Sequence, residues 1–311
     1  MALAVVSGGL AYFIPAASTA IEATGQVVHV ATPSPTDLFT GSPTPTSTPV
    51  AAVTGAFTVL LLGSDDDSKF SSDHVLTQSM ILVRVIPSQK KVIMLSIPRD
   101  LYVPLSTGGQ GKIDGAYSYG GPGAAIATVE QDFGVHVDDY IWVGLLGLIK
   151  VIDAIGGIDV VTSNPVLDDF YPQDVFSNAP YGYERIAVLP GPQHLDGIHA
   201  MQYVRSRHGD LQSDFGRSQR QQQVLLAIRQ KAKQLAPEDI PVIASAIGGE
   251  LKTSISVTRV TEMLPLASSF DNPDSIQQVL LLPPYTHGGA PGGSLIAEWG
   301  LILPLVHRYF P

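Results

Sequence analysis

The chain has 311 residues, 18 Lys and Arg against 28 Asp and Glu, a formal net charge of −10 and no cysteine. That length supports one large domain or two small ones with a sizeable core, and the acidic balance argues against nucleic acid as a partner. Without cysteine there is neither a disulfide framework nor a Cys-based metal site, which fits an exported protein.

Residues 2–23 are apolar or small, with no Lys or Arg and one late carboxylate, Glu22. At ~1.5 Å rise per residue, roughly 20 such residues span a bilayer core. The Pro/Ser/Thr tract that follows, Thr32–Pro49, is stiff and polar and cannot build a core. This layout predicts a transmembrane anchor over residues 1–24, a linker over 25–54 and an extracytoplasmic domain over 55–311. The protein is expected at the cell membrane, crossing it once. A cleavable leader would begin with basic residues, and the stretch shows none. A short basic cytoplasmic start is expected ahead of it, so orientation is not read from flanking charge.

Within the domain, Ala56–Gly63 reads as a strand. Residues 80–86 and 92–97 read as a hairpin around the polar turn Pro87–Lys91. A helix is predicted over 121–133 after Gly-Gly-Pro-Gly, a strand over 140–143, a helix over 145–155 stopped by Gly156-Gly157, and a strand over 158–161. Residues 163–192 read as a long irregular excursion, the kind that often carries function. A strand over 201–207, an amphipathic helix over 217–235, two or three further helices and a strand over 277–282 complete the order. Alternating strands and helices predict a mixed α/β sandwich.

Chemistry concentrates in a few segments. Ser96-Ile-Pro-Arg99-Asp100 ends an apolar strand at Pro98 and presents Arg99 and Asp100 where α/β sheets bind ligands; a plain surface ion pair is the alternative. Lys112 and the Gly120-Gly121 turn precede a helix N-terminus, which favours anions; a simple helix start is the alternative. On a strand, Arg205 and Arg207 share one face. On a helix, Arg217 and Gln221 share one face, and Asp214 sits where it caps that helix. Four of the 18 Lys and Arg residues fall between 205 and 220. Guanidinium forks match phosphate oxygens, so this cluster predicts a phosphate or pyrophosphate ligand; an internal arginine network closed by Asp210 and Asp214 is the alternative. Asp65-Asp66-Asp67 ends the first strand and is either a Mg²⁺ site bridging a pyrophosphate or an acidic surface turn. His194 and His199 lack the spacing of a helical zinc pair and read as surface or structural residues. No G-x-S-x-G elbow is present.

Taken in order, Leu60–Asp65, Leu95–Tyr102, Lys112–Gly121, Val151–Asp159, Leu189–Gly197, Ala200–Arg207 and Asp214–Gln222 resemble the LytR–CpsA–Psr family of cell-envelope proteins across roughly residues 56–235. The resemblance implies an α-β-α sandwich with a central mixed β-sheet and an apolar pocket for a prenyl tail. It implies a Mg²⁺-dependent phosphotransferase that moves a glycopolymer from a polyprenyl-pyrophosphate carrier onto peptidoglycan. Asp65 is then the Mg²⁺ ligand, and Arg99, Lys112, Arg205, Arg207, Arg217 and Gln221 hold the pyrophosphate. Arg99, Asp214 and Arg217 become the catalytic set, with Asp214 orienting the arginines or acting near the attacking hydroxyl.

One segment departs from that pattern. Where the family carries an Arg and an Asp ahead of the second strand, this chain has Leu76 and Gln78. A neutral amide oxygen in place of a carboxylate weakens a metal site. Three readings therefore stay open: a transferase, a lipid pyrophosphatase with water as the attacking group, and a degenerate binder of lipid-linked glycopolymer without chemistry.

Overall fold

The computed structural model describes residues 54–64, 74–162, 164–173, 181–206, 213–232, 234, 247, 250–256, 259, 263 and 275–311. The predicted anchor and nearly all of the linker lie outside these residues, as do Asp65, Asp66, Asp67 and Arg207 and the side chain of Asp214. Among the described residues, no helix is long and apolar enough to cross a membrane.

The elements in chain order are β1 (Phe57–Ser64), β2 (Thr77–Ile86), β3 (Lys91–Ile97), β4 (Tyr102–Pro104), β5 (Gln110–Lys112), α1 (Gly115–Phe133), β6 (Asp139–Val143) and α2 (Leu145–Ala154). They continue with β7 (Ile158–Thr162), β8 (Val166–Pro172), β9 (Tyr183–Val188), β10 (Gly191–Leu195), α3 (Gly197–Arg205), α4 (Ser213–Ala232), β11 (Leu251–Thr253), β12 (Ile276–Leu280), β13 (Thr286–Ala290), β14 (Ser294–Ala297) and α5 (Trp299–Tyr309).

A six-stranded mixed sheet, ordered β11-β6-β1-β2-β3-β12, forms the centre. β1 pairs parallel with β6 and antiparallel with β2, and β3 pairs parallel with β12. Both faces are apolar because side chains alternate along each strand. Leu60, Leu62, Met80, Leu82, Ile93 and Leu95 face one core with Tyr117, Phe133, Ile302 and Val306 of α1 and α5. Phe57, Val59, Ile81, Val83, Val92 and Met94 face the other, against Leu225 and Leu226 of α4. A third cluster joins α2, α3 and α4 through Ile152, Ala200, Val204, Val224 and Ile228. A sheet covered on both sides reads as continuous apolar runs, which is why five of its six strands, all but the short β11, are predicted by the sequence.

The β2–β3 hairpin forms as expected, with Lys90 left-handed at φ 48° in its turn. The helix predicted from Gly121 begins earlier, at Gly115, and breaks at Gly120 and Gly121 before resuming at Pro122. Gly121 holds φ 65°, ψ −160°, a conformation that suits glycine alone. The excursion predicted as irregular contains the β8–β9 hairpin and strand β10, which pairs with β7. Its Pro, Tyr and Asp residues hid short strands whose outer face exposes Leu167, Phe170 and Tyr183 beside Asp169 and Arg185.

Of the strand predicted over 201–207, residues 201–205 are instead the end of helix α3, and Arg207 lies outside the described residues. Tyr203-Val204 favours a strand in isolation, but tertiary context overrides that preference. Asp196 caps the helix by accepting the His199 N–H at 2.8 Å. Asp153 accepts the Gly197 N–H at 2.7 Å, and a Cβ on Gly197 would lie 2.3 Å from the Ile149 carbonyl oxygen. Glycine is what lets α3 start directly on α2, burying Ala200, Met201 and Tyr203.

Candidate functional site

The candidate site lies at the edge of the sheet where β1, β3 and β6 end and β2 begins. Carboxyl ends of parallel strands leave space between diverging loops, the usual location of ligands in such sheets. A cavity of about 220 Å³ opens there between the sheet, α2, α3 and α4. Leu61, Ile81 and Ile141 form its sheet side, while Leu148, Val151 and Ile228 form its helical side. Its polar lining is confined to one end, where Ser64, Gln78, Ser79, Arg205, Arg217 and Gln221 gather. A small adjoining recess of about 20 Å³ shares Gln78, Arg217 and Gln221 and adds Arg99 and Asp100.

α4 explains how the mouth is built. Its polar run Arg217-Ser-Gln-Arg-Gln-Gln-Gln223 is not a solvated face. Arg217, Gln221, Val224 and Ile228 recur at helical spacing and line the cavity. Gln222, 1% exposed, donates to Ser96 Oγ of β3 at 2.6 Å. Gln223 donates to the Val161 carbonyl at 2.5 Å and accepts from the Tyr203 hydroxyl at 2.7 Å. Consecutive polar side chains thus tie the helix to a different neighbour on each side.

Beside the mouth, Arg99 donates to Gln78 Oε1 and pairs with Asp100 at 3.3 Å and Asp114 at 3.6 Å. Lys112 Nζ lies 2.6 Å from Asp100 Oδ1. Burial alone would raise the Asp100 pKa, but the Lys112 hydrogen bond and the charges of Arg99, Lys112 and Arg217 hold it below the usual carboxylate value. Asp100 is therefore an ionised anchor paired with Arg99 and Lys112 and within the field of Arg217, and the buried Asp114 adds a second carboxylate to Arg99.

The structure brings Arg99, Arg205, Arg217 and Gln221 of the predicted set to one opening. Lys112 lines neither recess and joins them through Asp100. Arg205 stands at the end of a helix, not on a strand face shared with Arg207; its guanidinium lies 5.7 Å from the Tyr171 ring centroid. Because α4 begins at Ser213, Asp214 falls inside the first turn and not ahead of it. The Gly120–Gly121 break lines neither recess. His194 pairs with Asp159 and His199 with Asp196, each at 2.7 Å, in structural roles as expected.

Three further residues bear on the site. Ser64 precedes the acidic run and carries no sequence signal of its own; its Oγ is buried without a hydrogen-bond partner where it lines the cavity. Arg220 is one of the four clustered cations, and nothing in its spacing separates it from Arg217. Asp168 lay in the excursion read as irregular, where no sequence signal marks it. For Mg²⁺, the described residues hold no group of three or more His, Asp or Glu that gathers as a cage. The Ser64 oxygen, next in sequence to Asp65, is a donor of the right hardness, while Gln78 Oε1 already accepts from Arg99.

The LytR_cpsA_psr family model matches residues 19–284. The chain belongs to the LytR_cpsA_psr family. A relative from Oceanobacillus iheyensis, polyisoprenyl-teichoic acid–peptidoglycan teichoic acid transferase TagU, is 32% identical over 67% of this chain and 62% of its own length. The crystal structure of Bacillus subtilis TagV superposes with a TM-score of 0.66 at 28% identity, covering 83% of this chain and 96% of that one. A structure of TagT bound to LI-WTA gives 0.63 at 26% identity, over 82% and 89%. The chain spans about half to three-fifths of the length of the curated relatives it matches.

Proposed function

We propose that this chain transfers a glycopolymer from a polyprenyl-pyrophosphate carrier to peptidoglycan, acting outside a membrane to which residues 1–24 anchor it. One observation carries the reading. An apolar cavity opens at one end onto Arg205, Arg217, Gln221 and Gln78, which suits a ligand with an apolar tail and an anionic head. The teichoic acid transferase names of its relatives support the same substrate class.

In this reading Leu61, Ile81, Leu148 and Ile228 hold the prenyl chain, and Arg99, Arg205, Arg207, Arg217 and Gln221 hold the diphosphate. Lys112 acts through Asp100, keeping Arg99 and Arg217 against a fixed negative charge. A sugar hydroxyl attacks the phosphorus bonded to the glycopolymer, and the bond from that phosphorus to the polyprenyl phosphate oxygen breaks. Asp214 takes the hydroxyl proton, and the arginines stabilise the departing phosphate. Asp65 and the Ser64 Oγ would hold Mg²⁺, which would neutralise charge on the diphosphate.

A second reading rests on Leu76 and on Gln78, whose oxygen already accepts from Arg99. It makes the chain a binder of lipid-linked glycopolymer without turnover. Product analysis with labelled lipid-pyrophosphate glycan and peptidoglycan separates the readings. Label on peptidoglycan supports transfer, free phosphorylated glycan marks hydrolysis, and intact substrate retained on the protein marks binding alone.

A further inference from the structure

Ser206 joins the last residue of α3 to Arg207, and it is 1% exposed. Two buried charged groups hold it from opposite sides. Asp168 of β8 accepts the Ser206 Oγ–H at 2.7 Å and, through its other oxygen, the Phe170 N–H at 2.9 Å. Arg220 of α4 donates from Nη2 to the Ser206 carbonyl and from Nε to the Tyr203 carbonyl, both at 2.6 Å. Its guanidinium also lies 5.6 Å from the Tyr203 ring centroid.

A helix ends with carbonyls that lack intrahelical partners, and a cation there completes them and complements the dipole. Arg220 does both for α3. It is one turn beyond Arg217 on α4, and the carbonyls it binds flank Arg205 on α3. The fork therefore fixes the separation between two mouth arginines that stand on different helices. Burial lowers the Arg220 pKa to about 10, against the opposing influence of Tyr203 and Asp168, so the brace stays charged at neutral pH.

We propose that Arg220, Ser206 and Asp168 form a positioning brace that sets Arg205 opposite Arg217, so that Arg220 aligns the anion-binding groups without touching the ligand. This rests on the pyrophosphate reading of the mouth for its ligand, but not for its geometry. Arg220→Lys is the informative change, because it keeps the charge and removes the two-pronged fork.

The test is titration with farnesyl pyrophosphate, with farnesol as the uncharged control. Arg220→Lys should weaken farnesyl pyrophosphate by about tenfold and leave farnesol unchanged. The loss should vanish in an Arg205→Ala background and persist in an Arg99→Ala background, the pattern of coupled against independent sites. Unchanged affinity, equal loss of both ligands, or full additivity with Arg205→Ala overturns the brace. If Arg220→Lys fails to fold, Ser206→Ala, which removes the Asp168 contact and leaves the carbonyl that Arg220 binds, should show the same coupling with a smaller loss. A crystal structure of the ligand-free variant separates this inference from the ligand reading. Arg205 should leave the Tyr171 ring, and an unmoved Arg205 refutes the brace whether or not farnesyl pyrophosphate binds the parent.

Discussion

The floor and the mouth of the cavity follow opposite physical rules. The floor is a surface of Leu, Ile and Val drawn from β1, β2, β6, α2, α3, α4 and β11. Such a wall accepts many apolar side chains of similar volume, because burial is non-directional. At the mouth, Arg99 is committed to Gln78, Asp100 and Asp114, and Arg220 to two carbonyls. There a substitution of equal charge or size leaves a buried group without its partner. Affinity from the floor should scale with ligand length, and affinity from the mouth with ligand charge.

The largest expected effect separates the two ends directly. Leu225→Trp places an indole in the cavity and shortens the chain it accepts. At roughly 0.8 kcal/mol per buried methylene, excluding one prenyl unit costs on the order of 3 kcal/mol. Long-chain polyprenyl pyrophosphate should lose over a hundredfold in affinity, while inorganic pyrophosphate is unaffected. Arg217→Ala should do the reverse, losing ~1.5–3 kcal/mol of charged hydrogen bonding with farnesyl pyrophosphate and nothing with farnesol. Calorimetric titration of both variants against these ligands checks the pair, and parallel losses would show that floor and mouth are not separate.

A smaller effect belongs to Gln78. The free protein should bind Mg²⁺ negligibly and bind it appreciably once pyrophosphate is present. Gln78→Asp adds a carboxylate, but Arg99 stands on that oxygen, so the gain should be modest, ~1 kcal/mol or about fivefold. Isothermal titration of Mg²⁺ with and without pyrophosphate measures it. Tight binding by the unliganded parent, insensitive to Asp65→Ala, would move the metal elsewhere.

The smallest effect is on stability. The folded-state pKa of Asp100 lies below its ordinary value of 3.8, so its contribution is full above about pH 4 and disappears as pH falls through the lowered value. Asp100→Asn should cost ~1 kcal/mol at pH 7 and converge on the parent in acid. Urea unfolding at several pH values reads this, and a gap that does not narrow below pH 4 would mean the loss is packing and not charge.

Local patterns made part of this molecule legible. Residues 80–86 and 92–97 could be paired from their turn, and Pro98 marked where Arg99 emerges. Arg217 and Gln221 share a face through helical spacing alone, and both reach the cavity. Other features had no local signal. Tyr203-Val204 pointed to a strand, and only the contact of Gly197 with Ile149 and the Asp196 cap make it helical. Arg217 and Arg220 are the same residue type one turn apart, and each is 5% exposed.

By itself, the sequence determined the apolar runs that become a sheet covered on both faces, the breaks between them and the concentration of cations between 205 and 220. Those follow from periodicity and from backbone preferences that act over a few residues. The tertiary structure decided which arginine faces the cavity and which braces the chain. That choice depends on carbonyls and carboxylates brought from β8 and α3, distant in sequence, and no periodicity within α4 encodes where they will lie.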